Sequence, residues 1–265
     1  MSIPHFGPNR QGQSSAEGAS LTSPCRLSLE KGVAVAWFAL LNDLAASLGD
    51  PFAVLSDDEI ERAERFKFQK DREQYVLGRG LLRKILSCYC GIEAGKLRFR
   101  YGARGKPYLV EEQTESNLMF SLAQTRGAVL CAVTRAREVG VDLEYVTEEI
   151  DDQTLAEQYF SQNEAAALSA LPLGSRQKAF LKCWTRKEAY IKAKGEGLYL
   201  DLRSFEVFDS AESAPHLHIE NNPKESARWT LLDLDVPGNY IAALAIECQN
   251  CRVSCRQWPQ NLLSP

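Results

Sequence analysis

Three acidic residues stand where chemistry could use them. Asp142 and Glu144 alternate with Val141 and Leu143 in the segment GVDLE, Gly140 to Glu144. In a strand, residues two apart share a face, about 6.6 Å apart along the chain, so the two acids point one way and the two apolar residues the other. Glu188 lies in CWTRKEAYIKAKGEGL, Cys183 to Leu198, which reads as a helix with a glycine-rich stop. At about 100° per residue, Phe180, Leu181, Trp184 and Ile191 form one stripe, with Glu188 inside it and Lys192 at its edge. A carboxylate in an apolar stripe is costly unless paired or bound to a cation. A Glu188–Lys192 bridge at i, i+4 contributes only ~0.3–0.5 kcal/mol on an exposed face, too little to account for the position.

If Glu188 faces the GVDLE strand, three carboxylates converge and repel. A hard divalent cation resolves that repulsion, and oxygen-only ligands point to Mg²⁺ rather than zinc. Mg²⁺ keeps positions open for water and for phosphate oxygens, which Lys187, Lys192 and Lys194 are placed to hold. Acids for a metal beside lysines for an anion make a diphosphate-handling site. Read alone, GVDLE is equally a strand with one wet face.

The elements that position these residues are written twice. Shifted by 105 residues, LSDDE (Leu55–Glu59) meets FSQNE (Phe160–Glu164), each a Ser-x-x-Glu capping box that opens a helix. Under the same shift Tyr75 meets Phe180, Leu86 meets Ile191, and VAWFA (Val35–Ala39) meets GVDLE. Strand-like LRFRY, LMFSL and AVLCAV follow the first helices; SFEVF, RWTLLDL and YIAALAI follow the second. The expected fold is α+β: two similar halves, residues 25–138 and 139–258, each with helices on a small, mainly antiparallel sheet. Residues 1–24, rich in Ser, Gly, Pro and Gln, read as a disordered leader. Where the first copy has Trp37, Ala39 and Arg83, this shift puts Asp142, Glu144 and Glu188 in the second, so one site is expected, not two.

Composition narrows the classes. The chain has 265 residues, 45% of them hydrophobic, enough for a substantial core. A net charge of −4 argues against nucleic acid as a partner. No apolar run reaches the ~20 residues of a membrane span, and no signal peptide is evident, so a cytoplasmic location is expected. The eight cysteines are accordingly expected to be reduced. Cys248, Cys251 and Cys255 have a suggestive spacing but lack the second close pair that a zinc site usually brings.

The motifs resemble those of the surfactin-synthetase-type 4′-phosphopantetheinyl transferases. That family pairs a Gly-[Ile/Val]-Asp-x-Glu strand with a Trp-x-x-Lys-Glu-Ala-x-x-Lys-x-x-Gly helix, here Gly140–Glu144 and Trp184–Gly195. Similarity extends to Leu55–Leu86 and to Gly105-Lys106-Pro107, and covers roughly residues 30 to 250. The resemblance implies a monomeric pseudodimer that moves phosphopantetheine from coenzyme A to a serine of an apo acyl or peptidyl carrier protein, releasing 3′,5′-ADP. It implies Asp142, Glu144 and Glu188 as Mg²⁺ ligands, with Glu188 or a water on the metal as base, and Lys192 on the diphosphate. Lys106 and Arg62 would hold the nucleotide end of coenzyme A.

One stretch departs from the pattern. Where the family carries Phe-Asn-Leu-Ser-His-Ser, this chain has Phe120-Ser121-Leu122-Ala123-Gln124-Thr125. Ala123 has no donor, and Gln124 can approach a coenzyme A phosphate only with an uncharged amide. Losing a charge-assisted bond costs ~1–3 kcal/mol of coenzyme A affinity unless Arg126 compensates. The rival readings are a degenerate protein that binds coenzyme A or a carrier without transfer, and a structural protein whose acids hold a stabilising cation.

Overall fold

A Ser-x-x-Glu capping box opens one helix in each half. The computed structural model describes residues 27–113, 117–147, 151–207 and 215–258, except the side chain of Leu198; the expected leader lies outside these residues. The first half runs β1 (Val33–Leu40), α1 (Leu41–Ser47), α2 (Asp57–Glu64), α3 (Gln69–Cys90), β2 (Phe99–Tyr101), β3 (Pro107–Leu109), β4 (Leu118–Thr125) and β5 (Ala128–Arg135). The second runs β6 (Val139–Tyr145), α4 (Asp152–Tyr159), α5 (Gln162–Ser169), α6 (Leu173–Lys194), α7 (Pro223–Ser226), β7 (Thr230–Leu234) and β8 (Tyr240–Ile246). A last strand, β9 (Arg252–Gln257), returns to the first half, where it lies parallel to β1.

The sheets repeat one topology. The first has the order β4-β5-β1-β9 and the second β6-β8-β7, with β2 and β3 forming a separate hairpin. Strand β1 pairs antiparallel with β5 as β6 does with β8. The layers follow from alternation. Val35, Trp37 and Ala39 of β1 pack with Leu81, Leu82, Ile85 and Leu86 of α3. Ala34, Ala36 and Phe38, on the other face, meet Val139, Val141 and Leu143 of β6 and Ala242 and Leu244 of β8. Ala243 and Ala245 then face Ala189, Tyr190 and Ala193 of α6. The stack is thus α3, first sheet, second sheet, α6, and the α+β class with two like halves stands.

The repeat is tightest at buried ion pairs. Ser56 and Ser161 cap α2 and α5, and Glu59 and Glu164 complete the boxes. Both glutamates are about 1% exposed. Glu59 accepts from Arg83 Nε at 2.6 Å, and Arg83 also donates to the Ala94 and Leu97 carbonyls. Glu164 pairs with Lys187 at 2.7 Å, and Lys187 donates to the Leu202 and Phe205 carbonyls. Arg83 therefore corresponds to Lys187, not to Glu188 as the constant shift suggests. The slip arises in a turn: four residues, Arg65–Phe68, separate α2 from α3, whereas Ala170–Pro172 between α5 and α6 is one shorter. The strand keeps the original register, because Trp37 and Asp142 each face the long helix of their own half.

Cys248 and Cys251 form a disulfide in the connection from β8 to β9, contrary to the expectation that the thiols are reduced. Cys183 sits 3.6 Å from a Glu164 oxygen, and burial raises its thiol pKa well above the usual range. Among the described residues no helix is long and apolar enough to cross a membrane.

Candidate active site

Strand β6 meets α6 at unusually short range. A Cβ placed on Gly140 would lie 2.0 Å from the Ala189 carbonyl oxygen and 2.4 Å from the Ala193 nitrogen, so only glycine permits this approach. It sets Asp142 and Glu144, on the same strand face, against the turn of α6 between Glu188 and Lys192. Helix α6 ends at Gly195, whose φ of 69° is left-handed. From the other side, the Val141 amide donates to Ser121 Oγ of β4 at 3.1 Å, tying the strand to the first half.

Four charged groups share this junction. Lys192 Nζ lies 2.6 Å from Asp142 Oδ1, so its ion pair crosses from helix to strand instead of running along the helix to Glu188. Asp142 Oδ2 is buried with no hydrogen-bond partner. Burial raises the pKa of Glu144 to about 7, with the Asp142 and Glu188 charges adding to it and Lys192 and a hydrogen bond with Thr125 opposing it. Burial, then Asp142, also raises Glu188, against Lys192. Three mutually repelling carboxylates thus stand around one ammonium. Among the described residues no three His, Cys, Asp or Glu side chains lie close enough to hold a metal as they stand.

The other expected residues are placed differently. Lys187 is fully buried on Glu164, and Lys194 pairs with Glu225 at 3.0 Å, so neither points to the acids. A helix places residues five apart (187, 192) or two apart (192, 194) on different faces, which spacing in the chain conceals. Lys106 is also committed: its ammonium donates to Glu138 at 2.6 Å and to the Ala193 carbonyl at 2.7 Å. Its side chain is 8% exposed, and burial lowers its pKa. Lys106 thus pins the β2–β3 loop to the end of α6 and the start of β6. Gln124 turns toward α3, where its Nε2 occupies the space a Cβ on Gly78 would need; that nitrogen is buried without a partner.

Arg62 lines an open cleft of about 780 Å³ with Arg65, Phe66, Tyr101, Arg104 and Gly105, and with the acids Asp58 and Glu61. Three guanidiniums and two aromatic rings suit an anionic ligand with a planar part. Arg104 was not singled out from sequence, although it stands two residues before Lys106 and one helix-end loop away from Tyr199. Its guanidinium carbon lies 3.4 Å from the centre of the Tyr199 ring, which joins the hairpin loop of the first half to the segment after α6.

Known proteins resemble this chain in sequence. The model of the 4′-phosphopantetheinyl transferase superfamily matches residues 138–245, and that of the 4′-phosphopantetheinyl transferase N-terminal region matches residues 44–134. The chain is 37% identical over 232 residues to the 4′-phosphopantetheinyl transferase HetI of a Nostoc species, covering 85% of this chain and 92% of that protein. It is 29% identical over 153 residues to the 4′-phosphopantetheinyl transferase Sfp of Bacillus subtilis, covering 58% of this chain and 66% of the other. Among solved structures, the holo-[acyl-carrier-protein] synthase of Thermotoga maritima aligns with a TM-score of 0.33 at 21% identity, over 41% of this chain and 61% of its own. With both halves matched by family models and its motifs lodged at the β6–α6 junction, the chain belongs to the surfactin-synthetase-type 4′-phosphopantetheinyl transferases, and is an enzyme of that kind.

Proposed function

We propose that the enzyme transfers 4′-phosphopantetheine from coenzyme A to a serine of an apo acyl or peptidyl carrier protein, with Mg²⁺, releasing 3′,5′-ADP. The observation that carries this reading is the set of Asp142, Glu144 and Glu188 around Lys192. Their donors are all hard oxygens, and the buried Asp142 Oδ2 lacks a partner; both fit a divalent cation. Asp142, Glu144 and Glu188 would hold it, and when bound it supplies charge neutralisation and polarisation of a phosphoryl oxygen.

The chain's own residues divide the remaining work. Arg62, Arg65 and Arg104 receive the phosphates of the nucleotide end in their cleft. The Gln124 amide, with its free N–H, is a further donor to coenzyme A. Lys106 contributes by fixing the loop beside the cleft. Lys192 turns from Asp142 to the diphosphate and stabilises the charge that builds on the leaving side. The serine oxygen attacks the phosphorus bearing the pantetheine arm, and the bond to the bridging oxygen breaks as 3′,5′-ADP leaves. Glu188 would take the serine proton.

Incubation with an apo carrier protein, coenzyme A and Mg²⁺ tests this by mass. The carrier should gain roughly 340 Da, one phosphopantetheine, only when the metal is present. Unchanged mass across several carriers would overturn the reading, and coenzyme A binding without transfer would favour a binding protein. The enzyme is proposed to act as a cytoplasmic monomer, since its own first half already stands against the junction through Ser121 and Lys106.

A further inference from the structure

The two oxygens of Asp142 are in different situations. Oδ1 accepts the Lys192 ammonium at 2.6 Å, while Oδ2 is buried with no hydrogen-bond partner. The Asp142 side chain is 7% exposed and that of Lys192 33%, so the lysine reaches inward from the rim to a buried carboxylate. Glu144 lies on the same strand face, and Glu188 lies one turn before Lys192 on α6, so one ammonium faces three acids. The cations of this helix nearest Lys192 in sequence are engaged elsewhere: Arg186 with Asp233, Lys187 with Glu164 and Lys194 with Glu225. Lys106, from the first half, is held by Glu138 and the Ala193 carbonyl.

We infer that Lys192 is a placeholder: in the ligand-free chain it occupies the carboxylate that a divalent cation must use, and a diphosphate draws it away. This inference rests on the reading that the acids hold a cation and that coenzyme A is the substrate. It explains why the acids form no ready ligand set. They are arranged around an ammonium, whose charge sits where the metal's must go.

The consequence is a linkage between two ligands. A cation binding alone must expel Lys192 from Asp142 and leave the ammonium unpaired beside a second positive charge. A diphosphate binding alone can take Lys192 only by leaving a buried aspartate without its counter-ion. When both bind, each relieves the other's penalty, so each tightens the other by the same factor. Lys192 accordingly holds the Asp142 carboxylate before it serves the diphosphate. Part of this coupling needs no contact between metal and phosphate, which separates it from simple bridging.

Titration of Mn²⁺ into the metal-free full chain, read by electron paramagnetic resonance with and without coenzyme A, tests the inference. Wild type is compared with Lys192→Met, Lys192→Gln and Lys194→Met, each checked for folding by circular dichroism. Without coenzyme A, both Lys192 variants should bind Mn²⁺ about tenfold more tightly than wild type, and the tightening caused by coenzyme A should shrink by a similar factor. Lys194→Met removes the same charge nearby without freeing Asp142, and should stay within about threefold of wild type. Lys192 variants within about threefold of wild type would overturn the inference, as would an equal gain from Lys194→Met, which would reduce the effect to net charge. If none of the four proteins binds Mn²⁺, the inference falls, and the carrier-mass assay on wild type then decides whether the transferase reading falls with it.

Discussion

Gly140 and Ala189 touch as backbone to backbone: a Cβ on the glycine would fall 2.0 Å from the Ala189 carbonyl oxygen. No side chain can rotate to relieve such a contact. Gly140→Ala must lift β6 from α6, and overpacking of this kind costs about 1–3 kcal/mol or more. The variant should unfold at lower urea concentration, and it should transfer phosphopantetheine more slowly than its remaining folded fraction accounts for. The loss of rate follows because the lifted strand carries Asp142 and Glu144 away from Glu188 and Lys192.

The acids can be tested without disturbing that contact. Asp142→Ala and Glu188→Gln should fold, as judged by circular dichroism, and lose activity by well over tenfold, the factor that about 1.4 kcal/mol represents. Glu188→Leu should match or exceed wild type in ligand-free melting temperature, because it removes a carboxylate disfavoured by burial and by Asp142. It should also lose the rise in melting temperature that Mg²⁺ with coenzyme A gives wild type. A Glu188→Leu protein that keeps the full rise would remove Glu188 from the metal site.

The buried pair of the second half behaves oppositely. Glu164 and Lys187 are about 1% and 0% exposed, so deleting either charge leaves the other stranded. Glu164→Gln and Lys187→Met should each cost about 3–5 kcal/mol in urea unfolding, and the double variant should cost clearly less than their sum. Additive losses would show that the pair is not coupled.

Stability should also depend on pH through Glu144, whose carboxyl is raised to about 7 in the folded chain against an ordinary value of 4.5. A raised folded-state pKa means that the native chain holds the proton more tightly than the unfolded one. The stabilising contribution is complete below the unfolded value and is lost as pH climbs through about 7. Melting temperatures of the ligand-free protein between pH 5 and 8 should therefore carry a falling component that Glu144→Gln abolishes. Saturating Mg²⁺ with coenzyme A should flatten it in wild type.

The cleft predicts a different kinetic signature. Arg62→Ala and Arg104→Ala remove charge-assisted donors worth about 1.5–3 kcal/mol each, so the KM for coenzyme A should rise by roughly 10- to 150-fold. The kcat should change little, since the junction of β6 and α6 is untouched. A fall in kcat at unchanged KM would place these arginines at the reacting atoms instead.

Much of this was legible in the residues, and the failures have physical causes. Capping boxes are local, so Ser56/Glu59 and Ser161/Glu164 announced the repeat and the starts of α2 and α5. Alternation in GVDLE gave the face of Asp142 and Glu144. A shortened turn leaves no mark on helix periodicity, however, and the constant shift therefore matched Arg83 to Glu188 when its structural counterpart is Lys187. Lysine is the same letter whether its ammonium meets solvent, a carbonyl or a buried acid, so spacing did not show that Lys106, Lys187 and Lys194 are each paired in the ligand-free chain. The Cys248–Cys251 bridge depends on a connection between sheets that spacing alone does not reveal.

Strand β9 gives the molecule an order of construction. It closes the β1 edge of the first sheet in parallel, Arg252 beside Val33, and Trp258 then packs against Trp37 at 6.1 Å between ring centroids. The ion pair from Arg252 to Glu30 spans 222 positions of chain. During synthesis β1 and its partners β4 and β5 emerge early, yet the β1 edge keeps its backbone groups open until nearly the whole second half has left the ribosome. The first half is thus a nascent template completed last, and the interval before β9 arrives is when the growing chain is most exposed to pairing with a neighbour.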